Sequence, residues 1–491
     1  MEFLDPDKKK QHNRRLVVGY VLMGVAILLA ALILFMQSAG FDLDHKTGKV
    51  IQNGLIFVSS HPESATVYLN GKDQGRTDTR LTVPAGSYTV ELKRDGYRDW
   101  KRSFNLEGSS IERLQYPVLF PTTLNQKDQR QYDNPPQFIT QSPDRHWLLV
   151  QQPGSVTSFD VFNSNDPKAT VEKIDLPANL LTATADTQHN ELVEWSTDNR
   201  HVLVKHVFKD QSEYIMIDRQ SPENSQNITK LLDLKTVTLS LRDKRADELY
   251  VFDEAAHTLK TANTKTKEME DVLKDVVAFK SYGSDTLLYA VTESKNPTKT
   301  DVKFRDGGKD YAVRTYTDAG DFLLDVTRFD GHWYAVVGPK NEGRVTIYQD
   351  PMDHPKSDPT GLPQAYSVLI MKEPQFVSFS SNARFILVQS GAKFATFDAE
   401  TNRRFYYDIT TPLAGDQKAR WMDGHRLLVE SNGKVNVFDF DGINKQTLVD
   451  IQEGTLPYFD RDYTRLYTLA RSRQDDSKAA LTQTPLKLDL R

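Results

Sequence analysis

Carboxylates and imidazoles recur along this chain at matching places in similar short runs. Asp160, Asp218, Asp398 and Asp439 belong to "SFDVF", "YIMID", "FATFD" and "VNVFD", and His146, His201, His332 and His425 stand just ahead of or within a second family of apolar runs. Carboxylates pooled at one mouth of a ring of repeats could hold a divalent cation, and a ring of imidazoles could hold a transition metal. The spacing favours a plainer reading. Equivalent positions in successive repeats are separated radially, so the aspartates read as turn initiators at the ends of third strands and the histidines as repeat chemistry. "DFDG" (Asp439 to Gly442) has neither the glycine nor the glutamate register of a calcium loop and also reads as a turn. G-x-S-x-G, H-E-x-x-H, a P-loop and G-x-G-x-x-G are all missing, so the sequence offers no catalytic residue, no cofactor and no metal set.

Aromatic residues are plentiful, with 24 Phe, 20 Tyr and 5 Trp. Side chains alternate faces along a strand, so in the adjacent pairs Trp333-Tyr334 and Tyr406-Tyr407 one ring must leave the face its neighbour occupies. These four rings are expected either between repeats or on a surface for a sugar or peptide partner. Asn227-Ile228-Thr229 is a lone glycosylation sequon, the kind that commonly arises by accident.

The elements that would position these residues form a repeat. A polar turn leads into an apolar strand eight times: "SPDRHWLLV", "STDNRHVLV", "RDKRADELYVF", "YGSDTLLYAV", "FDGHWYAVV", "SSNARFILV", "MDGHRLLV" and "DRDYTRLYTL". The spacing, roughly forty to fifty-five residues, is the period of a four-stranded propeller blade. Short strands precede the turns ("FIT", "LVEW", "VAF", "FVSF", "ARW") and others come after them. The pattern resembles the TolB-like and WD40-like propellers of bacterial envelope proteins, whose turn is serine-proline-aspartate-glycine; only Ser142-Pro143-Asp144 comes close to it. Eight blades of about forty-four residues fill 137–491, seven being the alternative, with "PLKLDLR" expected as the outer strand of the last blade.

The other end of the chain is different. Leu16 to Met36 carries no charge and matches the hydrocarbon thickness of a bilayer, and "KKKQHNRR" precedes it. Lys8, Lys9, Lys10, Arg14 and Arg15 would hold the N-terminus in the cytoplasm and export the residues beyond the helix, which acts as an uncleaved signal anchor rather than a cleaved signal peptide. Past it, "LIFVSS", "ATVYLNG", "LTVPAG", "SYTVELKRDGY", "WKRSFNL" and "IERLQYPVL" alternate apolar and polar residues between glycine-rich turns, the pattern of a small β-sandwich. "HPESATVYLNGKDQGRT" and "LTVPAGSYTVELKRDGY" resemble the PEGA domain of bacterial envelope and surface proteins at Pro62, Ala65, Val67, Leu69, Gly71, Gly75, Pro84, Gly86, Tyr88, Val90, Gly96 and Tyr97. The namesake tetrapeptide has Ser64 for glycine, and Thr77-Asp78 replaces the usual threonine-proline. The resemblance implies a spacer or envelope-contact module with no catalytic residues.

Composition narrows the function. A net charge of −5 in 491 residues, with 26% charged residues of both signs, gives no global attraction to nucleic acid. The absence of cysteine excludes disulfides, thiolate metal sites and a lipidated thiol. The expected fold is all-β: a cytoplasmic basic tail (1–15), a transmembrane helix (16–36), a linker (37–53), a PEGA-like β-sandwich (54–120), a second linker (121–136) and a β-propeller (137–491). The expected role is a membrane-anchored, extracytoplasmic binding or scaffold protein of the cell envelope, in the bilayer through Leu16 to Met36 and holding a protein, peptide or glycan. A propeller-channel hydrolase or lyase and a surface-coat subunit are the alternatives.

Overall fold

The computed structural model describes residues 6–38, 41–43, 50–184, 186–292, 298–317, 320–353, 361–410, 413 and 417–488. The chain divides into two compact units, Met1–Thr123 and Leu124–Arg491.

The first unit begins with one helix, Pro6–Ser38. Its segment Lys10–Met36 has a mean hydropathy of 2.8 and is long and apolar enough to cross a membrane. Lys10, Arg14 and Arg15 are exposed ahead of the apolar stretch; the side chains of Lys8 and Lys9 lie outside the described residues. Two four-stranded sheets come next. In one, Val50–Val58 pairs antiparallel with Thr79–Pro84 and Phe41–Leu43 and parallel with Ile111–Leu114. In the other the order is Lys72–Arg76, Thr66–Leu69, Gly86–Lys93, Trp100–Leu106. Period-two alternation sends Val90, Leu92, Trp100 and Leu106 inward. The outward residues form a polar ladder, Ser87 on Asn105, Thr89 on Ser103 and Lys101 on Glu91. "KDQGR" (72–76), expected within a turn, is an edge strand. It is almost wholly exposed, so no apolar face marks it.

The second unit contains eight four-stranded antiparallel sheets, each running in sequence order from its first strand to its fourth except the last. They are blades 1 to 8, beginning at Ile139, Gln188, Thr238, Val276, Phe322, Phe376, Arg420 and Tyr458. All eight turns expected from the sequence join the first and second strands of a blade. Second strands read as unbroken apolar runs because both faces are covered. In blade 1, Leu149 packs with Val202, Val204 and Ile215 of blade 2, whereas Leu148 and Val150 pack with Tyr467 and Leu469 of blade 8. Blade 4 does the same: Leu287 and Tyr289 face blade 3, and Leu288 and Ala290 face blade 5. Shared apolar clusters join blades 2 and 3, 5 and 6, and 6 and 7. Between blades 7 and 8, Gln452 N donates to Leu469 O and the Thr468 hydroxyl to Asp450 O. The sheets therefore close into an eight-bladed ring.

The closure corrects the expected boundaries. The outer strand of blade 8 is Lys127–Tyr132, which pairs antiparallel with Ala479–Pro485. It lies inside the stretch expected to be a linker. Pro485 ends a third strand, so "PLKLDLR" is not the outer one, and its last three residues lie outside the described residues. "KDQRQY" carries no apolar alternation, and side-chain hydrogen bonds hold it instead. Asp128 accepts from the Ser472 hydroxyl and the Arg473 amide; Gln129 bonds Gln483; Tyr132 donates to Asp160. Just ahead of the strand, Gln126 Nε2 lies 2.9 Å from each of Asp450 O, Thr468 Oγ1 and Thr482 Oγ1.

The turns show how the repeat tolerates a missing glycine. Ser142, Ser196 and Ser380 each receive the amide of the residue three further on, and that donor sits at positive φ: Arg145 (60°), Asn199 (56°) and Ala383 (62°). Glycine is the least strained occupant of that conformation. At the matching place blade 8 has Tyr463 (54°), whereas blade 4 opens a shorter turn with Gly283 (61°). The Tyr463 hydroxyl donates to Met422 O of blade 7, and the Arg145 guanidinium lies 4.3 Å from its ring centre.

Candidate functional site

The residues picked out by chemistry are distributed as structural parts. Asp218, Asp398 and Asp439 end their strands. Asp218 accepts from the Gln220 and Ser221 amides and pairs with Arg200; Asp398 pairs with Arg384; Asp439 accepts from Asn444 Nδ2. Asp160 departs from this pattern. It lies within Ser158–Asn163, where its oxygens receive Tyr132 and Gln152, and Asn163 starts the turn instead. His201 and His332 each bond a carboxylate, 2.6 Å to Asp198 and 2.5 Å to Asp350, and His146 stacks on Trp147. His425 is enclosed by Phe385 and Phe440, and burial pushes its pKa down to about 4. Among the described residues no group of three or more His, Cys, Asp or Glu could hold a metal. Asn227 of the sequon is buried, donating to Leu180 O and Glu213 and capping the short helix after it.

The four aromatic candidates do not assemble into one surface. Tyr334 is 3% exposed between blades 5 and 6, and Trp333, on the opposite side of the same strand, packs between blades 4 and 5. Tyr407 stacks on Phe394 inside the seam of blades 6 and 7. Tyr406 alone is open, at 52%, and its hydroxyl accepts from Ile370 N. Alternation along the strand accounts for all four positions. Tyr282, 41% exposed and edge-on to Trp333 at 5.2 Å, belongs with Trp333 and Arg328 at one seam.

A cleft forms elsewhere, walled by blade 7 and the connectors that flank it, one of them leading into blade 8. The first strands there, Arg420–Trp421 and Tyr458–Phe459, have two residues each, against eight in blades 2 and 5. Chain that is strand in other blades is connector here, and the connectors wall a cavity of about 580 Å³. That lies within the size range of small-ligand sites. Leu413, Leu428 and Leu456 supply apolar wall, and Lys418, Arg420, Glu430 and Glu453 supply charge.

The backbone carrying the two cations is fixed. Gln389 of blade 6, 1% exposed, donates from Nε2 to Gln417 O at 2.7 Å and accepts from Ala419 N at 2.8 Å. Ala419 is fully buried in the seam of blades 6 and 7, and Lys418 and Arg420, one residue to either side, are exposed. Both line the cleft, and neither has an ion-pair partner among the described residues. Glu430 is already engaged, accepting from Gly433 N and Gln417 Nε2. Sequence reasoning places "ARW" in a first strand and gives its arginine no role. The signal is a pair of cations two apart where a connector enters a first strand.

Residues 53–116 match the PEGA domain family. No curated protein matches the chain. Among solved structures the chain is similar to the C-terminal WD40 domain of Sif2 (12% identity, 73% of this chain and 98% of that one, TM-score 0.47). It is also similar to apo AztD from Citrobacter koseri (13%, 79% and 96%, 0.39) and to an oligogalacturonate lyase in complex with manganese (12%, 74% and 99%, 0.40). These likenesses are remote, and the closed ring of eight sheets is what defines the propeller. The chain is thus an all-β protein with an N-terminal apolar helix, a PEGA domain and a β-propeller.

Proposed function

We propose that this chain is a membrane-anchored binding or scaffold protein of the bacterial envelope, with its propeller outside the cytoplasm. The observation that carries the reading is a rigid closed ring, with a preformed cleft, on a chain whose first helix suits a bilayer. Lys10, Arg14 and Arg15 ahead of that helix support a cytoplasmic N-terminus. The PEGA match supports an extracytoplasmic setting for the rest. The partner is a protein, peptide or glycan, and the reading assigns no reaction to the chain. Protease added to spheroplasts is expected to digest the propeller while sparing a cytoplasmic marker. The full chain in nanodiscs is expected to capture a saturable partner from solubilised envelope or from cell-wall polymer. A propeller shielded from external protease, or no capture from either source, overturns the reading.

A further inference from the structure

Several propeller arginines are paired within their own blade. Arg200 pairs with Asp218, Arg384 with Asp398, Arg426 with Asp423 and Arg465 with Asp460. Two cations at the cleft differ from these. Lys418 and Arg420 face the cavity without carboxylate partners among the described residues, on backbone that a buried glutamine clamps from both sides. The Lys418 ammonium lies 5.5 Å from the Phe376 ring centre, which further limits where it points. Two fixed cations can receive a carboxylate with little reorganisation.

The rest of the lining narrows the ligand. Glu430 and Glu453 stand in the same cavity, an unfavourable setting for a dianionic phosphate or a polyanion. Asn432 and Thr455 offer amide and hydroxyl groups, and three leucine side chains offer apolar wall. That mixture suits a chain of amides with small apolar side chains and one carboxylate.

Resting on the binding role proposed above, we infer that this cleft binds a short peptide segment bearing a carboxylate, with Arg420 and Lys418 as its anion contacts and Gln389 as the residue that positions them. The carboxylate could be a free C-terminus or an acidic side chain.

The test uses the full chain in nanodiscs and four probes: acetyl-Ala-Ala-Ala with a free carboxylate, acetyl-Ala-Glu-Ala-amide, acetyl-Ala-Ala-Ala-amide and acetyl-Ala-Lys-Ala-amide. At least one carboxylate probe is expected to bind about tenfold more tightly than either probe lacking one. Whichever of the two binds more tightly identifies the source. Arg420→Gln is expected to weaken that probe about tenfold while leaving the thermal midpoint unchanged, since its side chain is exposed. Gln389→Ala is expected to weaken the same probe less, and Arg420→Lys to retain part of the affinity. Equal binding of all four probes, binding of none, or an Arg420→Gln chain that binds as the parent does overturns the inference. Envelope capture keeps the two proposals apart. A partner held equally by the parent and Arg420→Gln chains removes the cleft and leaves the binding role, whereas capture by neither removes the role itself.

Discussion

Blades 4 and 8 have the same four-stranded plan and reach it by opposite means. Blade 4 is one stretch of chain, Val276–Thr317, whose third and fourth strands meet through the two-residue turn Gly307-Gly308. Its seam with blade 5 is apolar, with Phe304, Val302 and Val313 buried against Val326, Ala335 and Val337. Blade 8 joins the two ends of the propeller, and its outer strand is held by Gln126, Asp128, Gln129, Gln131 and Tyr132 through side-chain hydrogen bonds. The pair teaches that a blade closed locally can rely on non-directional burial. A blade closed across the whole ring needs bonds that select one strand in one register.

That contrast can be broken by mutation. Phe304→Ala, at a fully buried ring edge-on to Trp333, is expected to cost about 4 kcal/mol in denaturant unfolding of the full chain. Gln126→Ala is expected to cost about 2 kcal/mol, because it removes the amide donor shared by Asp450 O and two buried threonine hydroxyls. If the glutamine change were the costlier, the division into apolar and polar closure would be wrong. Acid sharpens the contrast. Burial alone would raise the Asp128 carboxyl, but the Ser472 hydroxyl and the Arg473 amide together hold it below its ordinary 3.8. The Lys434 and Arg473 side chains hold Asp450 low as well. A depressed carboxylate stabilises the fold above its unfolded pKa and loses that contribution as pH falls below it. The protection factors of the amides in Lys127–Tyr132, taken against intrinsic exchange at each pH, are therefore expected to fall as pH drops below about 4, ahead of those in the blade 4 seam, and a uniform fall would remove the distinction. The smallest effect concerns the turns: Gly283→Ala in blade 4 is expected to cost about 1 kcal/mol through its positive φ. In blade 8 Tyr463 occupies the same conformation with a hydrogen bond and an arginine stacked on it. A cost near zero for Gly283→Ala would mean the turn is not strained.

Legibility in the residues obeys the same division. Second strands and their turns are visible because burial on both faces writes continuous apolar runs such as "WLLV" and "FILV" beside serine, aspartate and asparagine. The strands Lys127–Tyr132 and Lys72–Arg76 are invisible for the opposite reason, since no apolar face is written into either. Trp333 and Tyr334 go to opposite seams as strand alternation requires, but alternation does not say which ring remains open. The cleft is beyond reach, because its walls come partly from the connectors on either side of blade 7, which carry no periodic pattern, and its cations matter through a clamp supplied by another blade.

The strand that completes the ring also has a place in time. Lys127–Tyr132 leaves the ribosome before any blade is finished, yet its pairing partner is Ala479–Pro485, close to the other end of the chain. At about 5–20 residues per second, some tens of seconds pass before the two can meet. Through that interval a hydrophilic ribbon with a free edge is already outside the exit tunnel. Its surplus of charge and amide over apolar side chains is what lets it wait in water without recruiting a neighbour's strand.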